Sequence, residues 1–229
     1  MSDAKGSRYP RKIGLFSSHS QISQLINAMK PKSILDVGCG DGSLLESFIP
    51  KGALVWGIEP DLNDSKIASN KGIKVIASNV EAAFQEIDLE FDLVLYADVL
   101  EHLHNPELIL KKTKVFMSST SRIIISVPNI ANISTRIGLL FGKFNYTERG
   151  ILDKTHLRFF TQKSLLEMID GCGFSLIEKR ITPIPIELFF PNWVPLSISR
   201  SGQQILYFLT KIFPKLLGYQ FIVTISDGT

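Results

Sequence analysis

Residues 34–42, ILDVGCGDG, restrict the fold of this chain more than any other stretch: an apolar run interrupted by one acid, Asp36, then glycines at alternate positions, Gly38, Gly40 and Gly42. A turn with so little side chain directly after a strand lets backbone come close to a ligand, because glycine has no Cβ to hold it off. In open α/β sheets the first strand–helix crossover is also the usual place for such a ligand. The stretch therefore predicts both an architecture and a site.

The rest of the chain supports the architecture. Apolar runs at 33–38, 53–59, 74–78, 91–99 and 122–128 alternate with amphipathic stretches. They are rich in Val, Ile and Leu and lack strict apolar–polar alternation, as expected of strands covered on both faces. With two further runs at 174–181 and 219–227, they predict an α/β fold: a doubly wound, mostly parallel, seven-stranded Rossmann-like sheet with the last strand antiparallel. Helices are expected at 43–49, at 105–117 with Asn105 as cap and Pro106 in the first position, and from Gln162 after a Thr161 cap, closed by Gly171.

All 229 residues are expected to form one domain with two excursions. The first, 129–160, is long and irregular, with part of STRIGLLFG helical; connections of this length usually have a task, and a substrate lid is the expectation. The second, 182–218, is apolar and aromatic, carrying Phe189, Phe190, Trp193, Tyr207, Phe208 and Phe213. Its proline-studded first half excludes a regular helix, and its second half reads as an apolar helix with Lys211 and Lys215. Ordinary core or dimer packing accounts for these aromatics, and so does docking on lipid or gripping a lipid-linked acceptor.

Three ligands compete for the glycine turn. A phosphate-cradling loop needs GxxxxGK followed by Ser or Thr, which is absent. A nicotinamide cofactor wants GxGxxG, but Ser43 stands where the third glycine belongs, and the carboxylate of Asp36 would repel a pyrophosphate. S-adenosylmethionine carries an ammonium and a sulfonium and no phosphate, which suits Asp36. Glu59, at the tip of the second strand, suits both ribose hydroxyls of a nucleoside.

ILDVGCGDG, GIEP and FDLVLYADVLEHLHNP, in that order and at strand ends, resemble the class I S-adenosylmethionine-dependent methyltransferases over about residues 20–180. Within them the likeness is to the small-molecule O-methyltransferase branch that includes quinone-biosynthesis enzymes. DKTHLRFFTQKSL, residues 153–165, further resembles a segment of methyltransferases associated with bacterial surface-polysaccharide and glycolipid pathways. The resemblance implies roles by position. Asp36 orients the glycine loop and reaches the amino-acid end of the cofactor, Gly38 and Gly40 lie against it, and Glu59 holds the ribose. Asn79 replaces the usual adenine-binding Asp, Val80 touches adenine, and the end of the fourth strand, Tyr96 to Asp98 with Ala97 between them, faces the methionine end.

Methylation of an alcohol requires alignment of the nucleophile and removal of its proton. His156, in the first excursion, and His102, just after the fourth strand, are the candidate general bases, with His104 a weaker one and His19, expected ahead of the first helix, trimming the cofactor pocket. Arg136 and Arg158 are candidates for an anionic group on the substrate. No carboxylate–histidine set has ligating spacing along the chain, so no metal is expected. The alternative to an enzyme is a non-catalytic module of the same fold that binds the cofactor or serves as a scaffold.

A net charge of +3, with basic residues scattered apart from GSRYPRK, gives no sign of a nucleic-acid partner, and the fourth strand ends YAD rather than in the Asn/Asp-Pro-Pro-aromatic pattern of base methylation. A small-molecule, glycan or lipid-linked acceptor is expected instead, with a homodimer and a peripheral membrane contact left open. Two cysteines, Cys39 and Cys172, make no disulfide framework, the opening MSDAKGSRYPRK is polar, and no apolar run reaches the roughly 20 residues that span a bilayer. A cytoplasmic location, membrane-peripheral at most, is the expectation.

Overall fold

A computed structural model describes residues 14–186 and 196–228. The basic cluster GSRYPRK and the aromatics Phe189, Phe190 and Trp193 lie outside the described residues.

Seven strands form one sheet: β1 (Ser33–Val37), β2 (Leu54–Ile58), β3 (Lys74–Ile76), β4 (Leu93–Ala97), β5 (Arg122–Pro128), β6 (Phe174–Thr182) and β7 (Gln220–Asp227). Their order is β3-β2-β1-β4-β5-β7-β6, and β7 is antiparallel to both its neighbours while the pairs from β3 to β5 are parallel. The chain winds outward from β1 in one direction to β3 and in the other through β4, so the order reverses between β1 and β4. That reversal leaves a crevice at the carboxyl ends of these strands.

The uninterrupted apolar runs follow from burial on both sides. Leu35 and Val37 of β1 join Val94, Tyr96, Ile123 and Ile125 in one core, whereas Ile34 joins Leu93, Leu95 and Ile124 in the other. Asp36 falls on the same face as Ile34, which is why a carboxylate ends up only 2% exposed.

Helices cover both faces: α1 (Ser18–Met29), α2 (Leu62–Asn70), α3 (Val80–Ala83), α4 (Pro106–Thr113), α5 (Ile133–Leu140), α6 (Gln162–Gly171), α7 (Leu196–Ile212) and α8 (Pro214–Leu217). Their starts are capped as the sequence dictates. Asn105 accepts from Leu108 N at 3.0 Å and Thr161 makes a capping box with Ser164, each contributing about 1 kcal/mol.

Four local expectations are corrected. The helix at 43–49 is a turn followed by a 3-10 segment, Glu46–Lys51, because Pro50 donates no N–H to continue a helix and left-handed Gly52 (φ 85°) closes the segment. The α4 helix ends at Thr113 and tightens into a 3-10 turn, Lys114–Phe116. Gly171 stays inside α6, and the left-handed residue that ends the turn is Gly173 (φ 76°). His19 lies within the first turn of α1 rather than ahead of it.

The excursion after β5 is a closed loop. Its ends meet where Ile130 N donates to Phe160 O at 2.9 Å, and Asn129 pairs with Phe160. The STRIGLLFG stretch supplies α5. Leu157 N and Arg158 N then both donate to Glu101 O, at 2.8 and 3.0 Å, which fastens the loop over the end of β4.

Candidate active site

The crevice opens into a cavity of about 910 Å³. Its floor is the glycine turn. Gly38 N and Cys39 N donate to Ile58 O at 2.8 and 3.1 Å, which folds the turn across the tip of β2. Gly38 (φ 73°) has a left-handed conformation, and a Cβ there would meet Val99 Cγ2 at 2.6 Å. Gly40 (φ 54°) faces open space within 4 Å, so its backbone is available to whatever enters.

Glu59 is bound into this floor. One carboxylate oxygen accepts from Gly40 N and the other from Asp61 N, both at 2.9 Å. A carboxylate oxygen has two lone pairs, so each retains one for a ribose hydroxyl. Burial raises the Glu59 pKa, partly offset by these backbone bonds. Ser43, the residue that spoils a nicotinamide fingerprint, donates to Asp41 at 2.8 Å and accepts from Lys71 at 2.7 Å. It closes the turn with side-chain bonds where a dinucleotide site needs bare backbone.

Asp36 is the electrostatic centre of the floor. Burial, and next the charge of Glu59, push its carboxyl up to about 8. Its Oδ1 is buried with no hydrogen-bond partner among the described residues. An unsatisfied buried acceptor is costly, and a cationic donor removes the cost. The cradle thus fits a ligand with an ammonium at one end and a ribose at the other.

On one wall, Asn79 and Val80 line the cavity. Asn79 Oδ1 caps α3 by accepting from Ala82 N at 2.9 Å, leaving one lone pair on that oxygen for an adenine amino group. Ala97 and Asp98 line the opposite wall. Tyr96 does not: it is fully buried on the other face, with its hydroxyl bonded to Thr113, so the expectation that it faces the methionine end is corrected. Asp98 sits at φ 62°, unusual for a residue with a side chain, and its Oδ1 accepts from Ser126 on β5 and Gln220 on β7.

The two candidate bases are brought together. Their rings lie 4.8 Å apart, edge to face. His156 Nδ1 is 3.1 Å from Ile151 O; a carbonyl only accepts, so Nδ1 carries the proton and Nε2 presents a lone pair in the neutral ring. Burial, then the neighbouring His102, lowers the His156 pKa, which keeps it neutral near pH 7. His102 Nδ1 is held by Thr155 through its carbonyl oxygen (3.2 Å) and its hydroxyl (3.1 Å). Thr155 is anchored in turn by Asp153, whose Oδ1 accepts from Thr155 N at 2.8 Å and Oγ1 at 2.7 Å. Burial pushes the Asp153 carboxyl up, but these bonds outweigh it and the net position is below the usual range.

Glu101, 1% exposed, completes a set the linear spacing did not show: its carboxylate and one ring nitrogen from each histidine lie within 4.8 Å of one another. The spacing along the chain gives no such set; the fold brings it together. Such a set can pass a proton or hold a divalent cation. Arg136 and Arg158 are not brought to the cavity. Arg136 Nε donates to Ala131 O at 2.6 Å, and Arg158 donates twice to His104 O, at 3.2 and 2.9 Å. The arginine on the cavity wall is Arg149, beside Gly150 and Tyr219, which sequence reasoning did not single out.

A seven-stranded sheet with a glycine turn at its reversal point, an acid inside β1 and another at the tip of β2 define a class I S-adenosylmethionine-dependent methyltransferase. The comparisons agree: residues 15–179 match the family described as a methyltransferase domain, and the chain belongs to that family. The ubiquinone biosynthesis O-methyltransferase of Idiomarina loihiensis is 26% identical over 172 residues, covering 72% of this chain and 68% of that protein. The mitochondrial ubiquinone biosynthesis O-methyltransferase of Rattus norvegicus is 29% identical over 62% of this chain but only 44% of its own length. A solved S-adenosylmethionine-dependent methyltransferase from Archaeoglobus fulgidus shares the fold, with a TM-score of 0.63 at 19% identity over 92% of this chain and 95% of that one.

Proposed function

We propose that the chain transfers a methyl group from S-adenosylmethionine to a hydroxyl oxygen of a small acceptor, an amphiphilic phenol, sugar or lipid-linked compound. Asp36, Gly38, Gly40 and Glu59 would hold the cofactor, which supplies an electrophilic methyl on a good leaving group. Asn79, Val80 and Ala97 would shape the remainder of its pocket.

The observation that carries the oxygen assignment is the neutral, tautomer-fixed His156 at the cavity wall, backed by His102 and Glu101. An alcohol needs a base as its oxygen attacks, and His156 Nε2 is poised to take that proton. The Asp153 and Asp98 carboxylates, whose charges favour the protonated ring, would stabilise the imidazolium that results. The loop 129–160 would act as the lid that excludes water and orders the acceptor. The names of the two quinone-pathway relatives support the same acceptor chemistry.

Charge narrows the acceptor. Asp98, Glu101 and Asp153 face this part of the cavity against one arginine, Arg149, among the described residues, which favours an acceptor with little negative charge, any anionic group being held by Arg149 in the role expected of Arg136 or Arg158. The test is incorporation of labelled methyl into hydroxylated phenols, sugars and polyprenyl-linked glycans presented in parallel. Transfer to oxygen in any class supports the reading. Transfer only to amines overturns it.

A further inference from the structure

We propose that the outward face of α7 and α8 docks on an anionic lipid bilayer. α7 is built inside out. Ser199, Gln203 and Thr210 turn toward the protein and are at most 4% exposed, whereas Ile205, Phe208, Leu209 and Ile212, spaced one, four, five and eight along the same stripe, face outward at 39–64% exposure. A helix of a soluble domain ordinarily presents the opposite arrangement. The inward grip combines one polar and one aromatic contact: Gln203 Nε2 donates to Ile184 O at 3.0 Å, and Tyr207 stacks on Phe16 of the segment before α1 at 4.2 Å between ring centroids. Phe213, 53% exposed, extends the apolar stripe into the turn before α8.

Charge selects the occupant. Residues 196–218 contain Arg200, Lys211 and Lys215 and no Asp or Glu. Apolar side chains flanked only by cations suit acyl chains beneath anionic headgroups. A second copy of the same face would set these cations against their own kind across a two-fold axis, which disfavours a dimer there. The stripe also has a reason to lie where it does: Gln203, on the opposite face of the same helix, lines the cavity, so docking would bring the cavity within a helix's thickness of the lipid surface. The inference deepens the proposed amphiphilic acceptor and rests on that reading for its purpose, but not for its evidence.

Flotation of the full chain with phosphatidylcholine vesicles, with and without phosphatidylglycerol, tests it. Binding to the anionic vesicles is expected, with far weaker binding to phosphatidylcholine alone. Lys211→Gln and Lys215→Gln are each expected to weaken it about fivefold. Phe208→Ser with Ile212→Ser is expected to abolish flotation while S-adenosylhomocysteine titration and the melting temperature stay unchanged, since both side chains are exposed. No flotation, equal flotation on both vesicles, or a dimer that Phe208→Ser dissolves would each overturn the proposal. Failure to bind S-adenosylhomocysteine would instead strike the methyltransferase reading, leaving the flotation result to stand by itself.

Discussion

The two halves of the cavity are built in different ways. The cofactor half is local: Glu59 and Gly40, 19 residues apart, meet because β1 and β2 run side by side in register and both end at the crevice. The acceptor half is assembled from distant pieces. His102 meets Thr155 across 53 residues, and Gln220 on β7 reaches Asp98 at the end of β4 across 122. One half is a consequence of the sheet itself. The other depends on a loop fastened to Glu101 by two backbone bonds. The division teaches where the cavity can change without loss of the fold: the floor cannot move without unpairing strands, whereas the wall carried by 129–160 can be altered without touching the sheet.

The contrast can be broken from either side. His156→Gln should lower kcat by about 10² to 10⁴ while S-adenosylhomocysteine affinity, measured by calorimetry, is unchanged. The wild-type rate should also hold until the pH falls below the ordinary histidine value of 6.5, because His156 titrates lower and acts as a base only when deprotonated, and the variant should lack that acid limb. Glu59→Ala should act on the other half, weakening S-adenosylhomocysteine by about a hundredfold through the loss of charge-assisted bonds to ribose. Gly38→Ala combines a left-handed φ with a Cβ 2.6 Å from Val99 Cγ2, so it should cost about 1–3 kcal/mol of stability, read from the denaturant midpoint. Arg158→Ala should be nearly silent in KM and alter stability by no more than about 0.5 kcal/mol, because its guanidinium is exposed and bound to a loop carbonyl. A large KM effect at Arg158 would mean that the lid closes differently with acceptor present.

The lining of the crevice at the tips of β1 and β2 was legible in the sequence, and the wall built with loop 129–160 was legible only in its ingredients. Apolar runs buried on both faces mark the strands, and strand tips mark the crevice, so Asp36, Gly38, Gly40, Glu59, Asn79, Val80 and Ala97 all reach the cavity. Tyr96 was misplaced because alternate residues of a doubly covered strand carry no polarity signal to tell the two faces apart. Histidines and arginines of the acceptor half could be named, but their meeting depends on the path of an irregular loop, which neither periodicity nor propensity encodes. Hence His102 and His156, named separately as candidate bases, come together while Arg136 and Arg158 turn to backbone carbonyls and Arg149 takes the wall. Glu101 carried a usable signal, being an acid next to a histidine just beyond a buried strand. The outward apolar face of α7 was visible as composition, and its orientation was not.

The account rests on Asp36 as the buried acid that receives the cationic end of the cofactor. Its carboxyl, held up to about 8 by burial and then by Glu59, keeps its proton in the empty protein at pH 6.5 and must lose it to accept a cation. Stability of the empty protein should correspondingly decline as pH rises from the unfolded value near 4 through 8, and Asp36→Asn should remove that decline. The decisive measurement is calorimetry of S-adenosylhomocysteine at pH 6.5 in buffers of differing ionisation enthalpy, for wild type and Asp36→Asn. The wild type should release one proton more than the variant and bind more tightly as pH rises toward 8. Equal proton release and equal affinity in the two proteins would contradict the placement of the cofactor against Asp36.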